Sequence, residues 1–162
     1  MAAFDPAGIV RVLNQHGVRF VVIGGIAAQT HDLGLPATID IDVTPARDRR
    51  NLARLAAAFD ELEAGLNTAD VGGTWFPRLP VANWAQYDTL HLITRYGLLD
   101  IVFAPDGAEH GYADLVGGAV RLALGDEPAL VITVEVWRAL KAAAGREKDL
   151  RHLDQLDNND GA

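Results

Sequence analysis

A pair of glycines between two short apolar runs constrains the fold more than any other feature of this sequence. The run RFVVI at 19–23 is short and rich in β-branched residues, which is typical of a buried strand. The glycines at 24–25 end it, and the pattern predicts a helix over about 25–33 that the following glycine and proline stop. The run TIDIDV at 38–43 alternates strictly and predicts a second strand. One short helix between two strands is typical of an α/β chain.

The alternating run has two faces of opposite character. Its apolar side chains are Ile39, Ile41 and Val43, and its polar side chains, on the other face, are Thr38, Asp40 and Asp42. Asp40 and Asp42 lie about 7 Å apart along the strand, and like charges this close repel each other and raise each other's pKa. No lysine or arginine lies within the run to balance them. The pair is therefore either solvated surface or a cation site.

The remaining periodicities predict helices and strands in mixed order. Helices are expected at 7–16, 46–65, 134–144 and 147–157, strands at 88–95 and 98–103 around a turn at 96–97, and two short strands around the turn GDEP. The segment 66–86 is expected to be irregular, and 105–118 to be a loop with one short helix. We therefore predict an α/β fold with a mixed, partly antiparallel sheet and helices packed against it.

The size and composition of the chain suit one domain. Its length of 162 residues lies within the usual range of ~100–200 residues for a domain. Hydrophobic residues make up 49% of the chain, which is enough for a core. We predict a single domain at 1–157 and a polar tail at 158–162. The absence of cysteine excludes disulfides and thiolate zinc sites and favours a cytoplasmic location. No apolar run reaches the ~18–20 residues that span a bilayer, so no membrane partner is expected.

The charge of the chain argues against broad, charge-driven binding to nucleic acid. The formal net charge is −8, whereas such binding needs basic side chains that neutralise phosphates. The basic residues cluster at 47–50 and 141–152. A local basic contact therefore stays open.

A third carboxylate follows on the strand predicted at 98–103. Asp100 points away from the face that carries Leu99, Ile101 and Phe103. If this strand lies beside 38–43, three carboxylates meet on one sheet face. Hard oxygen ligands of this kind suit Mg²⁺ or Mn²⁺. The sequence therefore predicts a divalent-metal site.

The glycine pair indicates a binding site for a phosphate group beside the predicted metal site. Gly24 and Gly25 lie between a buried strand and a helix, where bare backbone N–H groups and the helix dipole favour a phosphate. A metal site beside a phosphate cradle indicates a Mg²⁺-triphosphate and transfer of a phosphorus group.

Other side chains with ligand chemistry fit this pattern less well. His31 and His91 belong to no spaced ligand motif, so neither is expected to bind metal. Trp75 and Trp84 are expected to pin the irregular segment to the core, with stacking on a nucleobase as the alternative.

The order of these motifs resembles the nucleotidyltransferase superfamily of the DNA polymerase beta type. The resemblance rests on the GG pair, a D-x-D about fifteen residues later, and an aspartate on a later strand. Two longer segments resemble small bacterial nucleotidyltransferases related to abortive-infection toxins. They are VVIGGIAAQTHDLGLPATIDIDV and the C-terminal ALKAAAGREKDLRHLDQL. The resemblance covers most of the chain except 66–86. Two positions depart from the pattern: Ala37 stands where relatives often have arginine, and Gly25 where they often have serine.

The resemblance implies the nucleotidyltransferase fold and a set of site residues. It assigns Asp40 and Asp42 to two metal ions, Asp100 to the catalytic metal and the attacking hydroxyl, Gly24 and Gly25 to the β/γ-phosphates, Lys141 to the triphosphate, and Thr38, Arg146 and Lys148 to further nucleotide contacts. Asp149 is expected to be a helix cap or the partner of a nearby basic residue.

The implied reaction moves NMP from an NTP, such as ATP, to an acceptor hydroxyl and releases pyrophosphate. A toxin acting on tRNA or protein, with an antitoxin partner, should show a basic rim from Arg47, Arg49 and Arg50 together with 141–151. The alternative is an enzyme acting on a small molecule such as an antibiotic, whose acceptor pocket residues 66–86 would roof. A non-catalytic relative would have lost a metal ligand, and the retained aspartates argue against that reading.

Overall fold

A mixed sheet with helices packed against it forms the fold in this computed structural model, which describes residues 3–67, 84 and 87–161. The strands are β1 (Phe20–Ile23), β2 (Asp40–Pro45), β3 (Gly65–Leu66), β4 (Thr89–Thr94), β5 (Gly97–Val102), β6 (Val120–Leu124) and β7 (Glu127–Val131). The helices are α1 (Pro6–Gln15), α2 (Gly24–Thr30), α3 (Arg49–Leu62), α4 (Tyr112–Leu115), α5 (Val134–Ala144) and α6 (Glu147–Asp160). The predicted α/β class is confirmed.

The strand order places the two carboxylate-bearing strands side by side. Within the described chain the order is β3-β4-β5-β2-β1-β7-β6. β2 pairs antiparallel with β1 and parallel with β5, while β4–β5 and β6–β7 are antiparallel hairpins. The predicted mixed sheet is confirmed, and so is the adjacency of β2 and β5 on which the metal-site prediction depends.

Two predicted boundaries of α3 are too wide. At its start, β2 stays paired with β1 as far as Pro45, and the helix begins only after Asp48, whose Oδ1 accepts a hydrogen bond from the N–H of Asn51 at 3.1 Å. At its end, Glu63 takes the left-handed conformation that terminates the helix, with φ 54°. Gly65, predicted to cap the helix, lies in β3 instead.

The expectation that Ile39 shares the buried face of Ile41 and Val43 is wrong. Ile41 and Val43 are fully buried, whereas Ile39 is 71% exposed. The register explains the difference, because Ile23, the last residue of β1, pairs with Asp42. Residues before Asp42 therefore have no β1 neighbour, and the chain leaves the sheet ahead of Asp40.

Most of the helices pack on the sheet or on each other. α1 packs against α3, β6 and β7, α2 packs against β1, β2, β6 and α5, and α5 packs against α6. α5 ends as predicted at Gly145, which has φ +61°. This arrangement brings the C-terminal helices to the side of the sheet where the glycine pair begins α2.

Trp84 belongs to the hydrophobic core. Its ring centroid lies 5.2 Å from that of Phe59, and only 4% of the residue is exposed. The predicted contact of Trp84 with the core is confirmed. Trp75 lies outside the described residues.

In the described ranges, none of the helices has both the length and the apolar character needed to cross a bilayer.

Candidate active site

Three carboxylates meet on one sheet face. Asp42 on β2 and Asp100 on β5 are register partners on adjacent parallel strands, which lie about 4.8 Å apart. The two side chains are close enough that a protonated Asp42 would donate a hydrogen bond to Asp100, and Asp40 lies close enough to act electrostatically on Asp42. The structure therefore brings together the three side chains that the sequence predicts as metal ligands.

The environment of Asp42 raises the pKa of its carboxyl group. Burial, reinforced by the charges of Asp40 and Asp100, raises the pKa of Asp42 to about 7. The charge of Lys141 opposes that rise and only partly offsets it. The site therefore has an excess of negative charge, which a divalent cation would neutralise.

Gly24 is required by the close approach of Asp42. It has φ +67°, a conformation that L side chains rarely adopt, and a Cβ there would collide with Oδ2 of Asp42 and lie 3.0 Å from its Cγ. A Cβ at Gly25 would lie 3.0 Å from the Cβ of Thr38. This tight space accounts for glycine at position 25.

Helix α5 is fastened to the glycine turn. Nε1 of Trp137, which is 1% exposed, donates a hydrogen bond to the carbonyl of Gly24 at 3.1 Å. Lys141, one turn further along α5, has its Nζ 5.5 Å from the centroid of the Trp137 ring. Its charge acts on Asp42. α5 thus brings the charge of Lys141 within reach of Asp42, and the contact of Lys141 with a triphosphate stays a prediction.

A buried aspartate holds the two basic side chains of this region. Asp149 is fully buried and accepts hydrogen bonds from Nζ of Lys141 at 3.2 Å and Nε of Arg146 at 2.7 Å. It also accepts from the backbone N–H of Arg146 at 3.2 Å, which caps α6. Burial raises the pKa of Asp149, but the hydrogen bonds from Arg146 and Lys141 bring it below its ordinary value. The predicted role of Asp149 as cap and partner is confirmed.

The other nucleotide-binding candidates differ in position. Oγ1 of Thr38 donates a hydrogen bond to Oδ1 of Asp40 at 2.7 Å, so Thr38 orients that carboxylate. The charge of Arg146 reaches Asp42. Lys148 is exposed on α6 and acts electrostatically on His152. The structure does not bring Lys148 into contact with the carboxylates.

His91 contacts the site, which the sequence reasoning missed. It is the register partner of Asp100, and its Nδ1 lies 2.9 Å from Oδ1 of Asp100. The position of the hairpin turn decides this contact. The turn lies at 95–96 and not at 96–97 as predicted, and with the later turn Ile93 would face Asp100. His31 has a structural contact, since its Nε2 lies 2.7 Å from the carbonyl oxygen of Ile132.

The donor chemistry fits a divalent cation, although the carboxylates are engaged with one another here. Within the described ranges, no three His, Asp or Glu side chains stand in an arrangement ready to hold a metal. Instead Thr38 donates to Asp40, Nδ1 of His91 lies 2.9 Å from Oδ1 of Asp100, and a protonated Asp42 would donate to Asp100. Carboxylate oxygens are the ligands that Mg²⁺ and Mn²⁺ prefer. Binding would replace the hydrogen bond between Asp42 and Asp100.

The predicted basic rim is divided between two places. Arg47, Arg49 and Arg50 follow the end of β2 opposite to Asp40, about 16 Å along the strand. Arg47 is engaged there, with its guanidinium donating to the carbonyl of Tyr87 at 2.7 Å and lying 4.6 Å from the Phe103 ring centroid. A polyanionic acceptor that used both basic clusters would have to span this distance.

Comparison with known proteins supports the fold. No protein-family model matches the chain, and no curated protein is significantly similar to it. The crystal structure of a Thermotoga maritima protein that carries a provisional assignment as a nucleotidyltransferase matches 94% of this chain and 89% of that chain, with a TM-score of 0.57 and 16% sequence identity. At this identity the likeness shows a shared fold, and the predicted nucleotidyltransferase fold is confirmed.

Proposed function

We propose that the protein is a divalent-metal-dependent nucleotidyltransferase that moves NMP from an NTP to an acceptor hydroxyl. The observation that carries the proposal is the in-register pair Asp42 and Asp100 on adjacent parallel strands, with Asp40 on the same face. The glycine turn and Lys141 lie beside this pair. A shared fold with a protein provisionally assigned as a nucleotidyltransferase is consistent with it.

Each group has a chemical task in this proposal. Asp40, Asp42 and Asp100 would hold Mg²⁺ or Mn²⁺, which when bound would offset the charge of the triphosphate and of the leaving pyrophosphate. The backbone N–H groups of Gly24 and Gly25 would contact the β/γ-phosphates.

Lys141 would add a positive charge on the side of the site formed by α5, and Arg146 would reinforce it. Both are held by Asp149, a buried anion that limits how far either side chain moves.

The transfer itself needs one proton acceptor. The acceptor oxygen forms a bond to the α-phosphorus, the bond from the α-phosphorus to the bridging oxygen breaks, and pyrophosphate leaves with that electron pair. Asp100 takes the hydroxyl proton as the acceptor oxygen attacks. Its place between Asp42 and His91 supports this role.

The acceptor is tRNA or protein if the chain acts as a toxin with an antitoxin partner in the cytoplasm, as the sequence resemblance implies. The net charge of −8 and the separation of the arginines at 47–50 from Asp40 favour a local contact with any nucleic acid. A small-molecule acceptor is the second candidate, because it needs no basic face.

The test is label transfer from each α-labelled NTP, in Mg²⁺ and in EDTA, with bulk tRNA, a protein extract or an aminoglycoside as acceptor. We expect transfer only in Mg²⁺, and a loss of at least ~10²-fold in Asp100→Asn. Asp154→Asn, a change of an exposed aspartate on α6, is the matched control and should transfer normally. Transfer in EDTA, or no transfer from any NTP to any acceptor class, would contradict the proposal.

A further inference from the structure

A histidine completes a row of polar side chains across three strands. Asp42 on β2 pairs in register with Asp100 on β5, and Asp100 pairs in register with His91 on β4. Directly opposed residues of antiparallel strands have Cβ atoms about 4.5–5.5 Å apart and point to the same face. Asp100 is therefore flanked by a carboxylate on one side and an imidazole on the other.

We propose that His91 is a positioning residue for Asp100, an inference that rests on the proposed function. An ionised carboxylate only accepts hydrogen bonds, so Nδ1 of His91 is the donor across the 2.9 Å contact with Oδ1. The terminal torsion of an aspartate is soft. Holding Oδ1 therefore directs the other oxygen of Asp100 toward Asp42 and the metal-binding face.

The surroundings of the pair distinguish it from an ordinary surface contact. The side chain of Asp100 is 18% exposed, while that of His91 is 62% exposed, so an exposed imidazole contacts a mostly buried carboxylate. The pair His110–Asp114 is a contrast within the same chain, with a separation of 3.4 Å and side chains 80% and 40% exposed. Only the first of these two pairs includes a proposed metal ligand.

The size of the effect follows from the role. Hydrogen-bond partners of metal-binding side chains typically account for 10–100-fold in metal affinity or activity. Within the described residues, the side-chain hydrogen bond of His91 is to Asp100, whereas the groups proposed to hold the triphosphate are the glycine turn and Lys141. Its loss should therefore lower metal affinity and turnover and leave the KM for NTP nearly unchanged.

The experiment compares His91→Phe, which keeps a ring without the donor, with His91→Asn, whose amide nitrogen takes the place of Nδ1. Mn²⁺ binding to each protein is measured by electron paramagnetic resonance with the metal alone. We expect His91→Phe to weaken Mn²⁺ binding about 10–100-fold and His91→Asn to stay within about threefold of the wild type. At saturating Mn²⁺, kcat of His91→Phe should still fall with KM for NTP within about threefold.

Controls separate positioning from folding. His110→Phe removes the exposed histidine of the contrasting pair and should change neither quantity. Circular dichroism and thermal denaturation check each variant, and His91→Val, which suits a strand, replaces His91→Phe if that variant does not fold.

The outcomes distinguish this inference from the proposed function. If the wild type binds Mn²⁺ and transfers NMP while His91→Phe matches it within threefold, the positioning role is overturned and the proposed function stands. An equal loss in His91→Phe and His91→Asn also overturns it, because the hydrogen bond is then not the cause. A wild type that neither binds Mn²⁺ nor transfers NMP overturns both.

Discussion

Replacing Asp42 with asparagine should stabilise the metal-free protein while it disables the site. Burial of the side chain, reinforced by the charges of Asp40 and Asp100, raises its pKa from 3.8 to about 7. Asparagine keeps the size of the side chain and can still bond Asp100, but it carries no charge. The repulsion that the folded state tolerates in the wild type is then removed.

The magnitude follows from the pKa shift. A shift of about 3 pH units, at 1.36 kcal/mol each, corresponds to roughly 4 kcal/mol of lost stability once Asp42 is fully ionised. Relaxation of the site reduces this, so we expect Asp42→Asn to gain about 2–4 kcal/mol in the free energy of unfolding at pH 8. For a chain of this size the gain equals roughly 5–15 °C in Tm.

The pH dependence has a definite sign. Because the folded pKa of Asp42 lies above the unfolded value, the folded state binds the extra proton between pH 3.8 and about 7. The contribution of Asp42 to stability is therefore present below pH 3.8 and is lost as the pH rises to about 7. The advantage of Asp42→Asn should shrink as the pH is lowered from 8 to 5.

The assay is urea unfolding of both proteins in EDTA at pH 5 and pH 8. Asp154→Asn is the control, since an exposed aspartate should change stability by less than ~0.5 kcal/mol. If Asp42→Asn is no more stable than the wild type at pH 8, burial and the neighbouring carboxylates do not raise the pKa of Asp42 as argued. When Mg²⁺ replaces EDTA in the same assay, it should stabilise the wild type more than the variant, because only the wild type has all three proposed ligands.

Three further substitutions test separate parts of the site. Asp100→Asn should keep NTP binding within about tenfold, or ~1.4 kcal/mol, while transfer at saturating NTP falls at least ~10²-fold; a near-normal rate in a single-turnover assay would make Asp100 ordinary strand surface. Lys141→Ala should raise KM for NTP with a smaller loss of kcat, and an unchanged KM in steady-state kinetics would remove Lys141 from the triphosphate site. Gly24→Ala should lose about 1–3 kcal/mol in urea unfolding, because its Cβ collides with Asp42 at a left-handed φ; Gly118→Ala, with open space around it, is the control, and equal effects would contradict the steric argument.

Alternation within single strands made the carboxylates predictable from sequence. The pleat fixes which side chains share a face, so Asp40 and Asp42 could be placed together without knowing any neighbour. The adjacency of β2 and β5 was a condition of the metal-site prediction, and the sheet confirms it. Strand period alone placed Asp40 and Asp42 together, whereas the position of Asp100 beside them depended on that adjacency.

Contacts that depend on register were not predictable. A shift of one residue in the hairpin turn moves the partner of Asp100 from His91 to Ile93, and composition does not fix that turn to one residue. The exposure of Ile39 was missed for a related reason, since β1 ends opposite Asp42 and the sequence of β2 does not record where its neighbour stops.

The predicted acceptor pocket involves a segment that the structure describes only in part. The segment 66–86 was expected to roof an acceptor pocket, and most of it, 68–83 and 85–86, lies outside the described residues. Of the described residues in this segment, Leu66 lies in β3 and Trp84 packs in the core. The identity of the acceptor therefore rests on the transfer assay.

Calorimetric titration of ATP, GTP, CTP and UTP, each in Mg²⁺ and in EDTA, tests the central claim most directly. Three clustered carboxylates, one of them with its pKa raised to about 7 by burial and by its neighbours, should repel a triphosphate that arrives without a cation. We predict that at least one NTP binds in Mg²⁺ with a Kd at least about tenfold lower than in EDTA, or ~1.4 kcal/mol. Equal affinity in both buffers, or no binding in Mg²⁺, would contradict the assignment of this sheet face to a metal-bound nucleotide.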